Sequence, residues 1–348
     1  MKKNSTIKEV AERAGVSIGT VDRVLHNRVG VSVSSKKKVQ EAIKELNFAA
    51  NPNAAILASR KNYTISIIIP RFRPGDYWSK IHDGFLAGAG KTAFSNVDIS
   101  EFYYDPSDPV SFRHAADDLL RSLPSAVIIP TLFEADSVEF ARKLAEKGIP
   151  YIIIDSFFED DNSLAYYGAP LYKSGQLAAY LMTFRSKPES VVFFRIQRDK
   201  EGLADPTRNR RIGFLDYLSS EAPGCTTYNV FLKPDDDVYN AAAISGFFAE
   251  HPEVHHLVMF NSRIYLLEEY LSLNPDPERQ VLGFANLDRN IRMLQRKLVT
   301  FLICWKPERQ PELAVEALAN YLRTGRAPAR KNNYMHMDVL TAMNAEDY

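Results

Sequence analysis

The stretch Thr6-Ile-Lys-Glu-Val-Ala-Glu-Arg-Ala-Gly-Val-Ser-Ile-Gly-Thr-Val-Asp-Arg-Val-Leu decides the first part of the fold. It reads as two short helices joined by a tight turn at Gly15, Val16 and Ser17. Thr6 and Glu9 have capping-box spacing, in which each side chain satisfies a free N–H at the helix start, and Ile7, Val10, Ala11 and Ala14 then form one apolar stripe. Gly15 ends that helix and Ser17 caps the next. In the second helix Ile18, Val21, Val24 and Leu25 are expected in a small core. Gly19, Asp22, Arg23 and His26 fall on the opposite face, free to enter a major groove of duplex DNA. After a loop over 27–33 a third helix buries Val39, Ala42, Ile43 and Leu46 and turns Lys36, Lys37, Lys38 and Lys44 to solvent.

Working outward, 348 residues are too many for that head alone and imply two or three domains. The formal net charge is zero, but through Arg60 there are eleven Lys and Arg against five Asp and Glu, with 32 against 38 in the remainder. A basic footprint therefore belongs to the N-terminal segment. Cys225 and Cys304 give no disulfide framework and read as reduced, buried thiols. No apolar run approaches the ~18 residues of a membrane helix, and the Met1-Lys-Lys start lacks the apolar segment of a signal peptide. The expected location is the cytoplasm, on the nucleoid when bound to DNA.

Residues 47–63 form a linker, with Pro52 at a possible helix start and Leu57 in an Ala-rich run. A helix of that size is unstable alone in water. It orders only when a partner holds it, and Leu57 is either a minor-groove wedge or a contact with the next domain. From Thr64 strand and helix alternate. Thr64-Ile-Ser-Ile-Ile-Ile fits a buried parallel strand, followed by a helix over 77–94. Strands at 97–104, 126–130 and 151–155 then alternate with helices at 111–122 and 135–147. Beyond a helix at 171–183 a second series runs through 190–195, 228–232, 256–261 and 280–284. Two doubly wound lobes are implied. Ligands of such sheets sit at the carboxyl ends of strands, which points to residues 71–78, Asp105, Thr131, Asp155, Arg195, Asn261, Asn286 and Trp305. Aromatic surfaces mixed with planar hydrogen-bonding groups suit a small polar molecule such as a sugar.

Catalysis finds little support. Gly90-Lys-Thr looks like the end of a P-loop, but the first glycine of that motif falls on Phe85, and Gly84, Gly88 and Gly90 lie inside an amphipathic helix where close packing is expected. No Gly-x-Gly-x-x-Gly opens a later helix, and no Gly-x-Ser-x-Gly elbow is present. His251, His255 and His256 lack the companions of a metal site. No catalytic residue, metal or cofactor is expected.

The pattern Thr6-Ile-x-Glu-Val-Ala-x-x-Ala-Gly-Val-Ser-x-x-Thr-Val-x-Arg-Val-Leu, followed by Val31-Ser, Val39, Ala42-Ile and Glu45-Leu-Asn-Phe, resembles the lac-repressor (LacI/GalR) family of bacterial regulators. Asn51-Pro-Asn-Ala-Ala-Ile-Leu, Arg210-Arg-Ile-Gly-Phe, Asn261 and Val281-Leu-Gly-Phe extend the likeness along the chain. The resemblance implies an all-α helix-turn-helix DNA-binding head over 1–48 and a hinge helix over 49–62. After them it implies an α/β two-lobed sensor of the type I periplasmic-binding-protein-like fold over 63–348. Lobe 1 is expected at 63–168 and 305–333, lobe 2 at 169–304 and 334–348.

On the same resemblance Ile18, Gly19 and Arg23 take base-reading positions. Ser17, Thr20 and Asn27 lie near phosphates, Lys8 on the first helix, and Ala54 and Leu57 in the minor groove, with His26 on the outer face. A guanidinium at Arg23 either reads guanine through two hydrogen bonds, worth ~1 to 3 kcal/mol, or contacts a phosphate. Ile18 meets a thymine methyl or stays in the core, and Asp22 replaces a small hydroxyl residue. In the sensor Arg210 takes the place of an effector-binding arginine, and Asn261-Ser262 stands for an Asn-Asp pair. The usual Gly-Phe-Asp-Asp becomes Gly283-Phe284-Ala285-Asn286. Tyr77 and Trp78 resemble a sugar platform, and Asp155, Arg195, Asn286 and Trp305 complete the expected effector set. The implied protein is a homodimeric repressor on a pseudo-palindromic operator, answering to a carbohydrate effector, with an acidic ligand left open by Arg195 and Arg210. A dimer is expected because the tail adds no leucine heptad. The alternatives are a sugar receptor without a regulatory role and a doubly wound enzyme.

Overall fold

The computed structural model describes residues 6–25, 30–46, 48, 62–92, 96–130, 132–197 and 207–347; His26, Asn27, Ala54, Leu57 and Thr131 lie outside the described residues. The chain divides into two compact units, Met1–Lys61 and Asn62–Tyr348.

In the first unit α1 (Ile7–Ala14) starts at Thr6, whose hydroxyl accepts from the Glu9 N–H at 3.3 Å while the Glu9 carboxylate accepts from the Thr6 N–H at 2.7 Å. Gly15 closes it in the left-handed region at φ 64. The next helix, α2 (Ile18–Leu25), is entered through Ser17, whose hydroxyl accepts from the Thr20 N–H at 3.2 Å. Ser32 caps α3 (Val33–Glu45). Val10, Ala11, Ala14, Val21, Val24, Val39 and Ala42 close one small core, with Ile43 and Leu46 half-buried at its edge. An Arg13–Glu45 ion pair at 2.5 Å ties α1 to α3.

Ile18 does not join that core; it stands 49% exposed. At 100° per residue it lies about 120° around the helix from Val24, so a core centred on Val21 and Val24 leaves it outside.

The second unit carries two six-stranded sheets. The first holds β1 (Tyr63–Pro70), β2 (Val97–Tyr104), β3 (Ala126–Pro130), β4 (Tyr151–Asp155), β5 (Ala165–Gly168) and β11 (Asn332–Tyr334), all parallel, in the order β11-β5-β4-β3-β1-β2. The second holds β6 (Ser190–Ile196), β7 (Thr226–Leu232), β8 (His256–Val258), β9 (Gln280–Phe284), β10 (Phe301–Cys304) and β12 (Asp338–Leu340). Its order is β12-β10-β9-β8-β6-β7, parallel except for β12, which pairs antiparallel with β10. Helices cover both faces of each sheet, which is why Ile67, Ile68 and Ile69 are buried in succession rather than alternately. The chain passes between sheets three times, after β5, after β10 and after β11.

Glycine contacts set the packing of two helix pairs. In α4 (Tyr77–Thr92), a Cβ on Gly84 would lie 1.9 Å from the carbonyl oxygen of Glu308, and one on Gly88 would lie 2.9 Å from that of Glu312, at the start of α12 (Arg309–Thr324). Only a residue without Cβ permits this approach. Gly90 has nothing within 4 Å, so the close packing expected of it is not found; two residues on from Gly88 the helix has turned about 200° toward solvent. The same device joins α7 (Leu171–Thr183) to α8 (Arg208–Glu221), where a Cβ on Gly175 would lie 1.8 Å from the Arg210 oxygen and one on Gly213 2.0 Å from that of Tyr172. Both cysteines are free thiols, Cys304 buried but Cys225 only half-buried, because it follows α8 in an exposed turn. Among the described residues no helix is long and apolar enough to cross a membrane.

Candidate functional site

On α2 the buried valines determine which face is left. Ser17, Ile18, Gly19 and Arg23 are exposed and Thr20 is half-buried, its hydroxyl oxygen 3.0 Å from that of Ser17. Gly19 and Arg23 are one turn apart, and a side chain at Gly19 would meet only the Ser17 Oγ at 3.9 Å. The guanidinium thus has an open path toward any surface laid on this face. Lys8 is exposed on α1, 4.0 Å from Glu12. A long cation, a hydroxyl pair and a branched apolar group match a base edge or phosphate, a phosphate oxygen and a thymine methyl respectively.

Between the lobes of the second unit lies a cleft of about 2000 Å³. From lobe 1, β4 ends at Asp155 with φ 68, a left-handed conformation open to Asp, Asn and Gly. The Tyr77 hydroxyl donates to its Oδ1 at 2.5 Å and the Ser156 hydroxyl to its Oδ2 at 3.3 Å. Gln310 Oε1 accepts the Asp155 N–H at 2.8 Å, and the Tyr166 hydroxyl donates to the Asp155 carbonyl at 2.7 Å. Burial lifts the Asp155 pKa above the usual carboxylate range, opposed by Tyr77 and Arg210. Burial and the neighbouring carboxylate push the Tyr77 phenol well up.

From lobe 2, Arg210 is 5% exposed. Its Nε donates to Ser174 Oγ at 2.9 Å and its Nη1 to the Phe260 carbonyl, while the guanidinium carbon sits 4.1 Å from the Phe284 ring centre and 4.9 Å from that of Trp305. Burial lowers its pKa to about 10, with Tyr77 and Asp155 opposing, so the cation persists at neutral pH. The α7–α8 glycine contact fixes where this arginine stands. Asn261 lines the cleft, its Oδ1 accepting the Arg263 N–H at 2.8 Å. At the rim Arg195 reaches Asn229 Oδ1 at 3.4 Å and covers the Phe231 ring at 5.1 Å. Tyr77 and Trp78 pack edge to face with ring centres 5.5 Å apart.

Tyr77, Trp78, Asp155, Arg195, Arg210, Asn261 and Trp305 are thus brought to one cleft, and Asn286 is not. Left-handed backbone at Ala285 (φ 70) turns the chain there, so Ala285 faces the cleft and Asn286 sits buried behind it, its carbonyl accepting from Lys80 Nζ at 3.0 Å. Sequence reasoning missed Tyr166, Ser174 and Gln310, which hold Asp155 and Arg210 in place. Phe284, the shelf under Arg210, ended a strand the apolar pattern did find. Among the described residues no group of three His, Cys, Asp or Glu could hold a metal ion.

Residues 65–327 match the family described as periplasmic binding protein domain, and residues 6–51 match bacterial regulatory proteins, lacI family. A solved structure from Bacteroides fragilis assigned as a LacI transcriptional regulator superposes with a TM-score of 0.76 at 30% identity, over 83% of this chain and 100% of that one. The HTH-type transcriptional regulator MalR of Streptococcus pneumoniae is 38% identical over 91 residues, 26% of this chain and 28% of its own. Catabolite control protein A of Staphylococcus aureus is 46% identical over 148 residues, 42% and 43% of the two chains. The chain spans less than half the length of either of these curated relatives. With a helical head matching bacterial regulatory proteins of the lacI family over residues 6–51 and a two-lobed α/β body like that of a LacI regulator, the chain belongs to the lacI family of bacterial regulatory proteins.

Proposed function

We propose that the protein is a sequence-specific DNA-binding transcriptional regulator, a repressor, whose operator affinity is set by a small polar effector of the carbohydrate class bound between the lobes. One observation carries this reading: the cleft floor is shared, with Tyr77 and Asp155 from one lobe facing Arg210 and Asn261 from the other. A ligand held by both lobes favours one lobe orientation, and it alters DNA affinity to the extent that it binds the two states unequally. Aromatic surface at Tyr77 and Trp78 beside planar hydrogen-bonding groups supports a sugar. The working form is a cytoplasmic homodimer without cofactor or catalytic step. It presents two α2 helices to half-sites of a pseudo-palindrome, with Lys8, Ser17, Ile18, Gly19, Thr20, Arg23, His26 and Asn27 at the duplex. Residues 49–62 are the hinge, with Ala54 and Leu57 in the minor groove.

Selecting bound duplexes from a random pool tests this. A two-fold-symmetric site is expected, and failure to enrich one overturns the regulator reading. Repeating the selection with sugars present gives the sign of control: lost retention marks an inducer, gained retention a corepressor. Turnover of a sugar during incubation would favour the enzyme instead.

A further inference from the structure

The cleft floor holds a buried cation. Arg210 is buried, both of its hydrogen bonds go to neutral oxygens, and no carboxylate forms an ion pair with it among the described residues. Asp155 acts on it only through space, from the opposite lobe. A buried charge lacking its partner is costly to the fold, and such a cost is retained where a ligand supplies the partner. Two further buried donors, the indole N–H of Trp305 and the side-chain amide of Gln310, lie beside the Tyr77 oxygen and have no other acceptor among the described residues. Of the acceptors beside them, both Asp155 oxygens are engaged by Tyr77 and Ser156, and Asn261 Oδ1 by the Arg263 N–H. At the end of β9, Ala285 and Asn286 add no carboxylate.

We propose that the effector is an acidic sugar, an aldonic or uronic acid, whose carboxylate pairs with Arg210 on the Phe284–Trp305 shelf while its hydroxyls reach Asp155 and Asn261. This rests on the reading of the cleft as the effector site. A neutral sugar both donates and accepts, and it leaves the guanidinium charge unmatched. A single carboxylate matches a single cation, whereas a phosphate dianion brings a second negative charge to a floor already holding Asp155. Charge-assisted, planar pairing of guanidinium with carboxylate supplies both strength and orientation.

The test is calorimetric titration of the full chain at constant ionic strength with glucuronate, galacturonate, gluconate and galactonate. Each is compared with its neutral parent glucose or galactose, and with glucose 6-phosphate. At least one acid is expected to bind about tenfold or more tighter than its parent, the scale of one charge-assisted contact. Arg210→Gln is expected to erase that preference while shifting the parent's affinity much less. A parent bound as well as or better than its acid overturns the acidic assignment and leaves the sugar-effector reading standing. Tightest binding of the phosphate overturns the carboxylate. No binding by any of the compounds overturns both. The wild-type comparison decides the matter by itself, so a variant that fails to fold does not leave it open.

Discussion

Asp155 meets two demands at one Cα, a left-handed backbone and an oxygen aimed at the Tyr77 hydroxyl. Asparagine satisfies both, since it accepts positive φ and can still accept that hydrogen bond. Burial raises the Asp155 pKa, so the native state holds this proton more tightly than the unfolded chain does. Its contribution to stability is full below the unfolded value of about 3.9 and is lost as pH rises through the raised native value. The melting temperature of Asp155→Asn minus that of wild type should therefore grow as pH rises from 4 toward 7, while effector affinity falls. A difference constant with pH would show that this carboxyl is not the source. On the head, Arg23→Ala should cost ~1 to 3 kcal/mol on the selected operator and relax one base position. Equal weakening on all sequences in competition binding would make Arg23 a phosphate contact. Ile18 shows why residue-level reading has a limit: periodicity counts every apolar residue on a short helix as core, and only the placement of α3 decides which stripe is covered.

At the scale of elements, helix contacts made through glycine are the most exposed to test. Gly90→Ala should stabilise by about 0.5–1 kcal/mol, because the site is open and glycine is a poor helix former. Gly84→Ala drives a methyl into the Glu308 backbone and should destabilise by roughly 1–3 kcal/mol or more. Urea denaturation of the two variants reads both, and equal midpoints would contradict the packing described. Gly175→Ala displaces the backbone of Arg210 itself, so it should weaken effector binding as well as stability. The strands most legible in the sequence, β1, β3, β4 and β9, are apolar runs covered on both faces. Ala165-Tyr-Tyr-Gly and Asn332-Asn-Tyr were not legible, because strands of three or four mixed residues exist only through the neighbour that pairs with them. The cleft divides the same way. Asp155, Asn261 and Trp305 follow strand ends and could be found, whereas Gln310 acts on a residue 155 positions away, a contact no local pattern carries.

At the scale of the whole molecule the charge is segregated: the excess of six Lys and Arg through Arg60 is balanced by an equal acidic excess in the remainder. DNA affinity should then fall steeply with salt, by about 0.9 in log K per decade of salt for each phosphate neutralised. Effector affinity, set between side chains recessed in a cleft, should change far less over 50 to 200 mM. Parallel slopes in the two titrations would place the effector on the same surface as the DNA and contradict the division of labour.

The antiparallel pairing of β12 has a consequence of another kind. β12 covers the outer edge of β10, where Val299-Thr-Phe-Leu-Ile-Cys-Trp carries no charge and packs into the sheet. Without Asp338-Val-Leu that edge would offer unpaired N–H and C=O groups to any similar strand, the template from which ordered aggregates grow. A chain cut after Tyr334 should scatter light on concentration where the full chain stays clear. A cell carrying such a nick would then lose its regulator to precipitation, with the DNA-reading face and the effector floor both chemically intact.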